Sequence, residues 1–557
     1  MKSDAKTTLP DDPEELKRII VHLQQEQDYL QQERDRLQQD QDRLQRERNR
    51  LEREQGRYEQ EINLLHERIR LLYGKLFGKK SEKHPVRENS PQLPLFDMPE
   101  PTEIEPEHET VEVESHTRQK RGRKPLPVEL PRVEVVHDID EAEKTCGCGA
   151  RLAKIGEEVS EKLDLIPAII RVIRHIRPKY ACKQCEGLET EGGTVKIAPP
   201  PPQIIDKGIA TAGLLAHILT AKFCDALPFY RQEKQFDRLG ADVGRATMCT
   251  WAMKAAEACQ PVLELLHREI RSGPLINIDE TTVQVLDEPG RAATTKSFMW
   301  VCRGGPPGTP GIRYHYAPSR ASTVARELLD GYAGIVQTDG YSGYDYLDHD
   351  PAIIHAGCLA HVRRKFDEAR RGSGKTSGKT GSADVALSYI GKLYRIESEA
   401  RRKRLTPEQL RALRQERAKP IFDDFRTWLH KKATQVVPKS LLGVAVHYAL
   451  SQWDRLVVYL EHGAMTPDNN LAENAIRPFV VGRKNWLFAG TPKGARASAD
   501  LYSLIETAKA NGLEPYRYLR YLFERLPFAR STEDYRALLP MQLCPEDVAL
   551  KNIASGV

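Results

Sequence analysis

The sequence predicts a multidomain α+β protein with an N-terminal coiled coil, a small zinc-binding β domain, a helical domain, and an α/β core with a helical insertion. Three observations lead to this prediction. Leucine recurs every seven residues near the N-terminus, two close cysteine pairs follow, and short apolar runs alternate with helical stretches in the second half. A chain of 557 residues suffices for three or four domains with buried cores.

Composition narrows the class of protein without identifying a partner. Hydrophobic residues make up 40% of the chain and charged residues 29%, and the net charge of +5 is too small to argue for nucleic acid. The N-terminus lacks a signal-peptide core, and no stretch reaches the roughly 18 apolar residues of a membrane span. We therefore expect a cytoplasmic protein with no membrane partner, whose ten cysteines are thiols or metal ligands.

Residues 13–73 are predicted to form one long helix. Its seam repeats every seven residues from Leu16 to Leu72, with Tyr58 at one position. The companion seam is mostly polar, which weakens association but can fix its register. We expect a homodimer, or a higher oligomer, through this helix; a solitary, charge-laced helix is the alternative.

Residues 81–130 are predicted to be a linker, because their many prolines and separate acidic and basic stretches cannot bury a core. An Arg-Gly-Arg unit within the basic stretch is typical of arms that enter the DNA minor groove. Arg121 and Arg123 are therefore candidate DNA contacts. A solvated basic linker is an equally good interpretation.

Residues 131–200 carry the two cysteine pairs, Cys146 with Cys148 and Cys182 with Cys185. Two such pairs suit a tetrahedral structural zinc ion, on which a small domain would depend for folding. The segment between the pairs is rich in Ile and Arg and is predicted to form strands. The alternative is four reduced thiols in a small β domain.

Residues 204–270 are predicted to be helical. A helix at 227–239, a glycine-containing turn and a second helix at 245–260 fit a helix-turn-helix that binds DNA, with Arg245 near phosphate. A plain helical hairpin is the alternative.

An α/β core with a mixed sheet is predicted to follow in two parts, residues 273–371 and 466–530, separated by a helical insertion at 372–465. The tail at 531–557 carries no clear signal. Strands are predicted at residues 275–286, 298–303, 312–317, 335–338 and 353–355, with a helix at 322–331.

Three acids in this core carry the chemistry. Asp279 and Asp339 lie in or end apolar strands, and Glu473 lies at the start of a helix. Acids in this order can converge on two divalent metal ions, which clamp the attacking and leaving oxygens at a phosphate. Each acid also has an ordinary interpretation: Asp279 as a surface residue of an edge strand, Asp339 as turn chemistry, and Glu473 as part of a capping box with Asn470 as N-cap.

Basic residues with aromatic neighbours suit a phosphate backbone and stacked bases. His361 could assist proton transfer or hold a phosphate, and could equally be a structural helix histidine. The candidate DNA contacts in the core are His361, Arg364, Lys365, Arg477, Arg483, Lys484 and Trp486.

Seven motifs in these parts resemble one known family, the transposases of the insertion-sequence-sixty-six family, a bacterial DDE group. The resemblance covers most of the chain. The motifs are residues 180–185, 278–281, 337–341, 358–366, 470–478, 482–486 and 502–509.

The resemblance implies an RNase H-like catalytic core, with Asp279, Asp339 and Glu473 as a DDE triad that holds two Mg²⁺ ions, or Mn²⁺ in their place. It also implies cleavage and transfer of DNA strands at element ends, a target DNA, a leucine zipper, a zinc-binding domain and small accessory proteins. Such a protein acts on DNA in the bacterial nucleoid. The Cys-x-Cys spacing departs from the family's usual Cys-x-x-Cys, and Glu506 is the rival third acid.

Two other functions remain open at this point. One is a sequence-specific DNA-binding regulator whose RNase H-like core is inactive. The other is a nuclease of the same fold that only hydrolyses DNA.

Overall fold

The computed structural model describes residues 13–77, 170–181, 195–373 and 381–549. The chain divides into two compact units, one of residues 1–81 with 176–557 and the other of residues 82–175. Of the second unit, only residues 170–175 are described, and they lie without regular secondary structure. The description below concerns the first unit.

The N-terminal helix α1 (Pro13–Phe77) is continuous over 65 residues. Its leucine seam is exposed within the single chain; Leu37, for example, is 63% exposed. Pairs four residues apart, such as Arg50 with Glu54 at 3.1 Å, support its polar faces. No helix among the described residues is both long enough and apolar enough to cross a membrane.

A short antiparallel pair, β1 (Lys179–Ala181) and β2 (Val195–Ile197), precedes a layer of helices. Residues 170–178 form no strand, so the strand prediction between the cysteine pairs is wrong for this described part. All nine of these residues are exposed, including the Ile and Val side chains, so no buried apolar face favours a strand there. The helical layer consists of α2 (Ala212–Phe223), α3 (Phe229–Arg238), α4 (Arg245–Ala258) and α5 (Gln260–Ser272).

A five-stranded mixed sheet forms the centre of the molecule. Its spatial order is β5-β4-β3-β6-β7, in which β3 pairs antiparallel with β4 and parallel with β6. The predicted strands are confirmed. The strands and the helix between them are β3 (Leu275–Gln284), β4 (Lys296–Gly304), β5 (Gly311–Ala317), α6 (Ser322–Leu328), β6 (Gly334–Gln337) and β7 (Ile353–Ala356).

A helical region that begins with α7 then separates the sheet from the last helices. It buries its own apolar cluster around Phe366, Phe422 and Phe425. Its helices are α7 (Leu359–Ser373), α8 (Ser382–Lys403), α9 (Pro407–Leu413), α10 (Lys419–Ala433), α11 (Leu441–Ser451) and α12 (Trp453–Val457), with a π-helical turn at Arg414–Ala418.

A fully buried arginine fixes the chain that leaves this region. Arg414 forms a two-pronged pair with Glu397, at 2.9 and 2.8 Å, which satisfies its charge. It also donates to the carbonyls of Tyr459, His462 and Met465 at 2.8–2.9 Å. The segment that leads to the next helix is thereby held in one conformation.

The last helices return to the sheet. Hydroxyls of Ser503 and Thr507 accept from the backbone N–H groups of Tyr314 and Ile312, so a helix covers the edge strand β5. These helices share one apolar cluster with the sheet and with α2–α5. They are α13 (Asn470–Trp486), α14 (Pro492–Ala510), α15 (Pro515–Arg525) and α16 (Thr532–Arg536).

Candidate functional site

The three predicted acids come from three elements that meet in the fold. Asp279 lies in β3, two residues beyond the parallel pairing of Asn277 with Gln337. Asp339 follows β6 by two residues, and Glu473 lies in the first turn of α13. The charges of Asp339 and Glu473 both raise the pKa of Asp279, so the three acids lie in one region of the fold.

Asp279 is the most strongly perturbed of the three acids. Its Oδ1 accepts a hydrogen bond from the backbone N–H of Glu280 at 2.8 Å. Burial, and then the neighbouring carboxylates of Glu280, Asp339 and Glu473, raise the pKa of Asp279 to about 8. A carboxylate in this position needs a nearby cation to remain charged at neutral pH.

Glu280 is held apart from Asp279, as expected for adjacent residues of a strand. Its side chain is 1% exposed and pairs with Arg320 at 2.5 Å, and it accepts a hydrogen bond from the Tyr344 hydroxyl. Arg320 also lies 4.0 Å from Asp339 and 3.7 Å from the centre of the Tyr341 ring. One arginine therefore connects Asp339 with Glu280.

Asp339 is oriented by its own turn. Its Oδ1 accepts from the backbone N–H of Tyr341 at 2.9 Å, which is the turn chemistry expected of an aspartate here. The other oxygen, Oδ2, lies 4.0 Å from Arg320 Nη2. Gly340 is required because a Cβ there would collide with the Tyr448 side chain.

Glu473 faces basic residues of α7. Its Oε1 lies 3.8 Å from His361 Nε2 and 3.5 Å from Arg364 Nη2. The prediction of Asn470 as N-cap is wrong: Asn469 takes that position and makes no side-chain cap hydrogen bond. The cap fails because the Asn469 side chain is used in a buried contact with the sheet.

That contact belongs to a cluster of buried amides that the sequence analysis missed. Asn277 Nδ2 donates to Gln337 Oε1 at 2.8 Å and to Asn469 Oδ1 at 3.0 Å. Asn469 Nδ2 in turn donates to the Ile278 carbonyl at 2.9 Å. Asn277 and Gln337 each precede an acid by two residues, on the same strand face. A polar residue recurring two positions before each strand acid was the available signal.

The amide cluster ties the three acid-bearing elements together. Gln337 Nε2 also donates to the carbonyls of Gly357 and Thr466, at 3.1 and 2.9 Å. Buried amides left unpaired are costly, so this arrangement is strongly specified. It fixes the start of α13, and hence Glu473, against β3 and β6.

The donor chemistry of the site fits hard divalent cations, which prefer carboxylate oxygens. Within the described ranges, no three His, Cys, Asp or Glu side chains form a group that could hold a metal ion as they stand. Side-chain movement would therefore be needed to bring the carboxylates into one coordination shell. Glu473 contacts its basic partners only at 3.5–3.8 Å, which leaves its side chain room to turn.

The predicted DNA contacts of the core fall into two groups. Arg364, Arg477 and Lys484 are exposed, as is Arg245 at the start of α4. Arg483 is half-buried and reaches the Thr281 hydroxyl at 3.3 Å, close to Asp279 along β3.

Two further candidates are partly occupied by intramolecular contacts. Lys365 lies over the Tyr448 ring at 4.7 Å. The Trp486 ring packs edge-on against Phe479, 5.4 Å between centres, and is not presented to a base. Arg121, Arg123 and the four predicted zinc ligands Cys146, Cys148, Cys182 and Cys185 lie outside the described residues.

The rival acid Glu506 lies elsewhere. It is buried within α14 and its Oε1 accepts from Lys509 Nζ at 2.9 Å. Burial raises its pKa, and the charge of Lys509 opposes this. None of the three clustered acids is among the groups that perturb it.

Four family models match the chain. One described as the transposase IS66 family matches residues 207–497. A zinc-finger binding domain of transposase IS66 matches 143–186, an IS66 C-terminal element matches 503–541, and a model described as transposase C of IS166 homeodomain matches 64–135.

Relatives in Sinorhizobium fredii cover most of the chain. The uncharacterized protein y4jD is 34% identical over 430 residues, which are 74% of this chain and 81% of the relative. The uncharacterized protein y4qI is 33% identical over 457 residues, which are 78% of this chain and 82% of the relative. No solved structure matches the chain.

Proposed function

The chain belongs to the transposase IS66 family, and we propose that it cuts and joins DNA strands at the ends of an insertion element through Asp279, Asp339 and Glu473. The observation that supports this proposal is that Asp279 and Asp339 each stand two residues beyond the paired residues Asn277 and Gln337 of β3 and β6, while the amide cluster holds the start of α13, which carries Glu473, against the same two strands. Carboxylates gathered in this way repel one another unless cations lie between them.

The sheet supports an RNase H-like interpretation of the core. Three antiparallel strands come first, and two parallel strands follow on the far side of the first strand. The acids lie on the central strand and at the end of its parallel neighbour, where side chains from both strands reach one site.

The proposed mechanism assigns each chemical role to a named side chain. Asp279, Asp339 and Glu473 would hold two Mg²⁺ ions, or Mn²⁺. Such ions make water or a 3′-hydroxyl a stronger nucleophile and stabilise the leaving oxygen. Arg364 lies beside Glu473 and is exposed, so it can bind the phosphate that reacts. Burial and the charge of Arg364 lower the pKa of His361, which keeps the ring neutral and able to accept a proton.

Partners follow from the matched modules. The zinc-finger and homeodomain models describe DNA-binding modules, so we propose DNA, at the element ends and at the target, as the partner. Cys146, Cys148, Cys182 and Cys185 would hold the structural Zn²⁺. The exposed seam of α1 would pair two copies and bring two ends together. We place this activity in the bacterial cytoplasm at the nucleoid, with small accessory proteins as further partners.

The test is a strand-cleavage and joining assay with full-length protein, Mg²⁺ and labelled DNA from both element ends. Wild type is expected to cut and join, and Asp279→Asn to do neither. Asp330→Asn is the matched control, because this aspartate is exposed at the end of the α6 region. Cleavage without joined products would indicate a hydrolytic nuclease. DNA binding without cleavage in wild type would indicate a regulator.

A further inference from the structure

The turn that ends α13 has a strained backbone. Leu487 has φ +65° and ψ −51°, a conformation that L-residues with side chains rarely adopt. The N–H of Phe488 donates to the Trp486 carbonyl at 2.8 Å and closes a three-residue turn of the rare, strained kind. Such strain persists only where the surroundings impose it, and it concentrates at functional sites.

Both sides of the turn are anchored. The N–H of Leu487 donates to the Arg483 carbonyl at 2.7 Å, and Ala489 pairs with the end of β3 through Gln284 and Leu286, at 2.9 and 3.0 Å. The partly buried Trp486 ring packs edge-on against Phe479. The fold therefore holds the tip rigidly between a helix and a strand.

The tip presents apolar side chains to solvent. Leu487 is 61% exposed and Phe488 44% exposed. Exposed apolar residues are ordinary when scattered, but here a strained turn holds two neighbours outward. A binding partner that covers these two side chains would offset the cost of the strained turn.

The surroundings of the tip are basic. Lys484 on α13, three residues before Leu487, and Lys493 on α14 are exposed. Lys222 Nζ lies 5.6 Å from the centre of the Trp486 ring, and Lys493 also lies 3.7 Å from Glu257. A protein partner with an apolar pocket would not need these positive charges, whereas the phosphates of a nucleic acid would neutralise them. Charge complementarity therefore favours DNA as the occupant.

We propose that Leu487 and Phe488 form an apolar wedge that enters the base stack of the bound element end and unstacks one base step. Leu and Phe are among the side chains that open base steps in this way, while basic residues hold the flanking phosphates. The inference rests on the proposed function in one respect only, namely that the protein binds element DNA.

The wedge and the third acid lie at opposite ends of one helix. Fourteen residues separate Glu473 from Leu487, which corresponds to roughly 21 Å along the helix axis. That span equals about six base steps at ~3.4 Å each. The unstacked step should therefore lie within about six steps of the cleaved phosphate.

The experiment uses full-length protein carrying Glu473→Gln, without Mg²⁺, so that binding is measured apart from cleavage. Duplexes from the element ends carry 2-aminopurine at successive positions, because its fluorescence rises when it is unstacked. A severalfold rise is expected at one step, and Phe488→Ala and Leu487→Gly should abolish it. Phe488→Ala should also weaken binding about tenfold, within the range for losing one aromatic–base contact.

Phe528→Ala is the matched control, because Phe528 is an aromatic residue 60% exposed on a different segment. It should keep the fluorescence rise, and Phe488→Trp should restore it. An abasic site at the responding step should rescue binding by Phe488→Ala. The wedge is excluded if DNA binds without a rise in 2-aminopurine fluorescence at any position, or if no DNA binds. It is also excluded if Phe488→Ala and Phe528→Ala give the same fluorescence. A cleavage failure with an intact rise would count against the catalytic proposal alone.

Discussion

Glu473 and Glu506 lie on consecutive helices, and their surroundings differ in kind. Glu473 is 24% exposed, faces two basic residues at long distance and acts on Asp279. Glu506 is 7% exposed and carries its own partner, Lys509, one turn away. The difference supports Glu473 rather than Glu506 as the third acid of the proposed site, because Glu473 lies near acids of other elements whereas Glu506 is neutralised within its own helix.

The largest expected effect comes from removing the charge of Glu473, and removing the charge of Glu506 is the comparison. Glu473→Gln should lower strand cleavage by at least about a hundredfold, as for loss of a group that stabilises developing charge. Glu506→Gln should cleave at nearly the wild-type rate, because its carboxylate lies outside the cluster. Initial rates on labelled ends measure both. The reverse pattern would move the third ligand to α14.

The pH dependence of stability sharpens the comparison. The pKa of Asp279 is raised from 3.8 to about 8, so between these values the folded chain keeps a proton that the unfolded chain loses. The free energy of unfolding of the metal-free protein should therefore fall as pH rises through this window, by on the order of a few kcal/mol.

Denaturant unfolding at a series of pH values measures this. Asp279→Asn should flatten the profile, while Asp330→Asn should keep its slope. Adding Mg²⁺ should restore stability at the high-pH end. A flat wild-type profile would contradict the crowding of Asp279 by Glu280, Asp339 and Glu473.

A substitution in the amide cluster disturbs the proposed site without changing any of its three acids. Asn277→Ala should lower the free energy of unfolding by about 1–3 kcal/mol, because it leaves buried polar partners unpaired. It should also raise the Mg²⁺ concentration needed for half-maximal cleavage, since Glu473 loses its anchor to β3.

Gln232→Ala is the control for that experiment. Gln232 is equally buried and bonds two carbonyls in the helical layer, at 3.1 and 3.0 Å. Its loss should cost similar stability without shifting the Mg²⁺ requirement. If Asn277→Ala and Gln232→Ala shifted the Mg²⁺ requirement equally, the amide cluster would have only a structural role.

The smallest expected effect concerns the exposed side of α13. Arg477 lies one turn after Glu473 and is exposed, so Arg477→Ala should reduce the slope of log binding constant against log salt by about one. Arg402→Ala, on the exposed insertion, should leave the slope unchanged. Titrations of end DNA at several salt concentrations would measure this, and an unchanged slope in both variants would remove Arg477 from the interface.

Local pattern accounts for much of the fold. A short apolar run predicted the strand that carries Asp279, and the local sequence predicted that Glu473 lies at the start of a helix, because both signals come from neighbouring residues. The N-cap of α13 was mispredicted, because a tertiary contact of Asn469 with the sheet overrode a local capping preference.

The sequence by itself determined the element types, the candidate acids and the family resemblance. Only the tertiary structure decided that Glu473, rather than Glu506, lies near Asp279, and which residues Arg320 and the buried amides contact. It also decided that the Trp486 ring packs against the core while the Leu487 and Phe488 side chains are exposed. The reason is separation along the chain: Asn277 and Asn469, whose contact orients the start of α13, are 192 positions apart. No local periodicity encodes such a contact, because it depends on how distant elements pack.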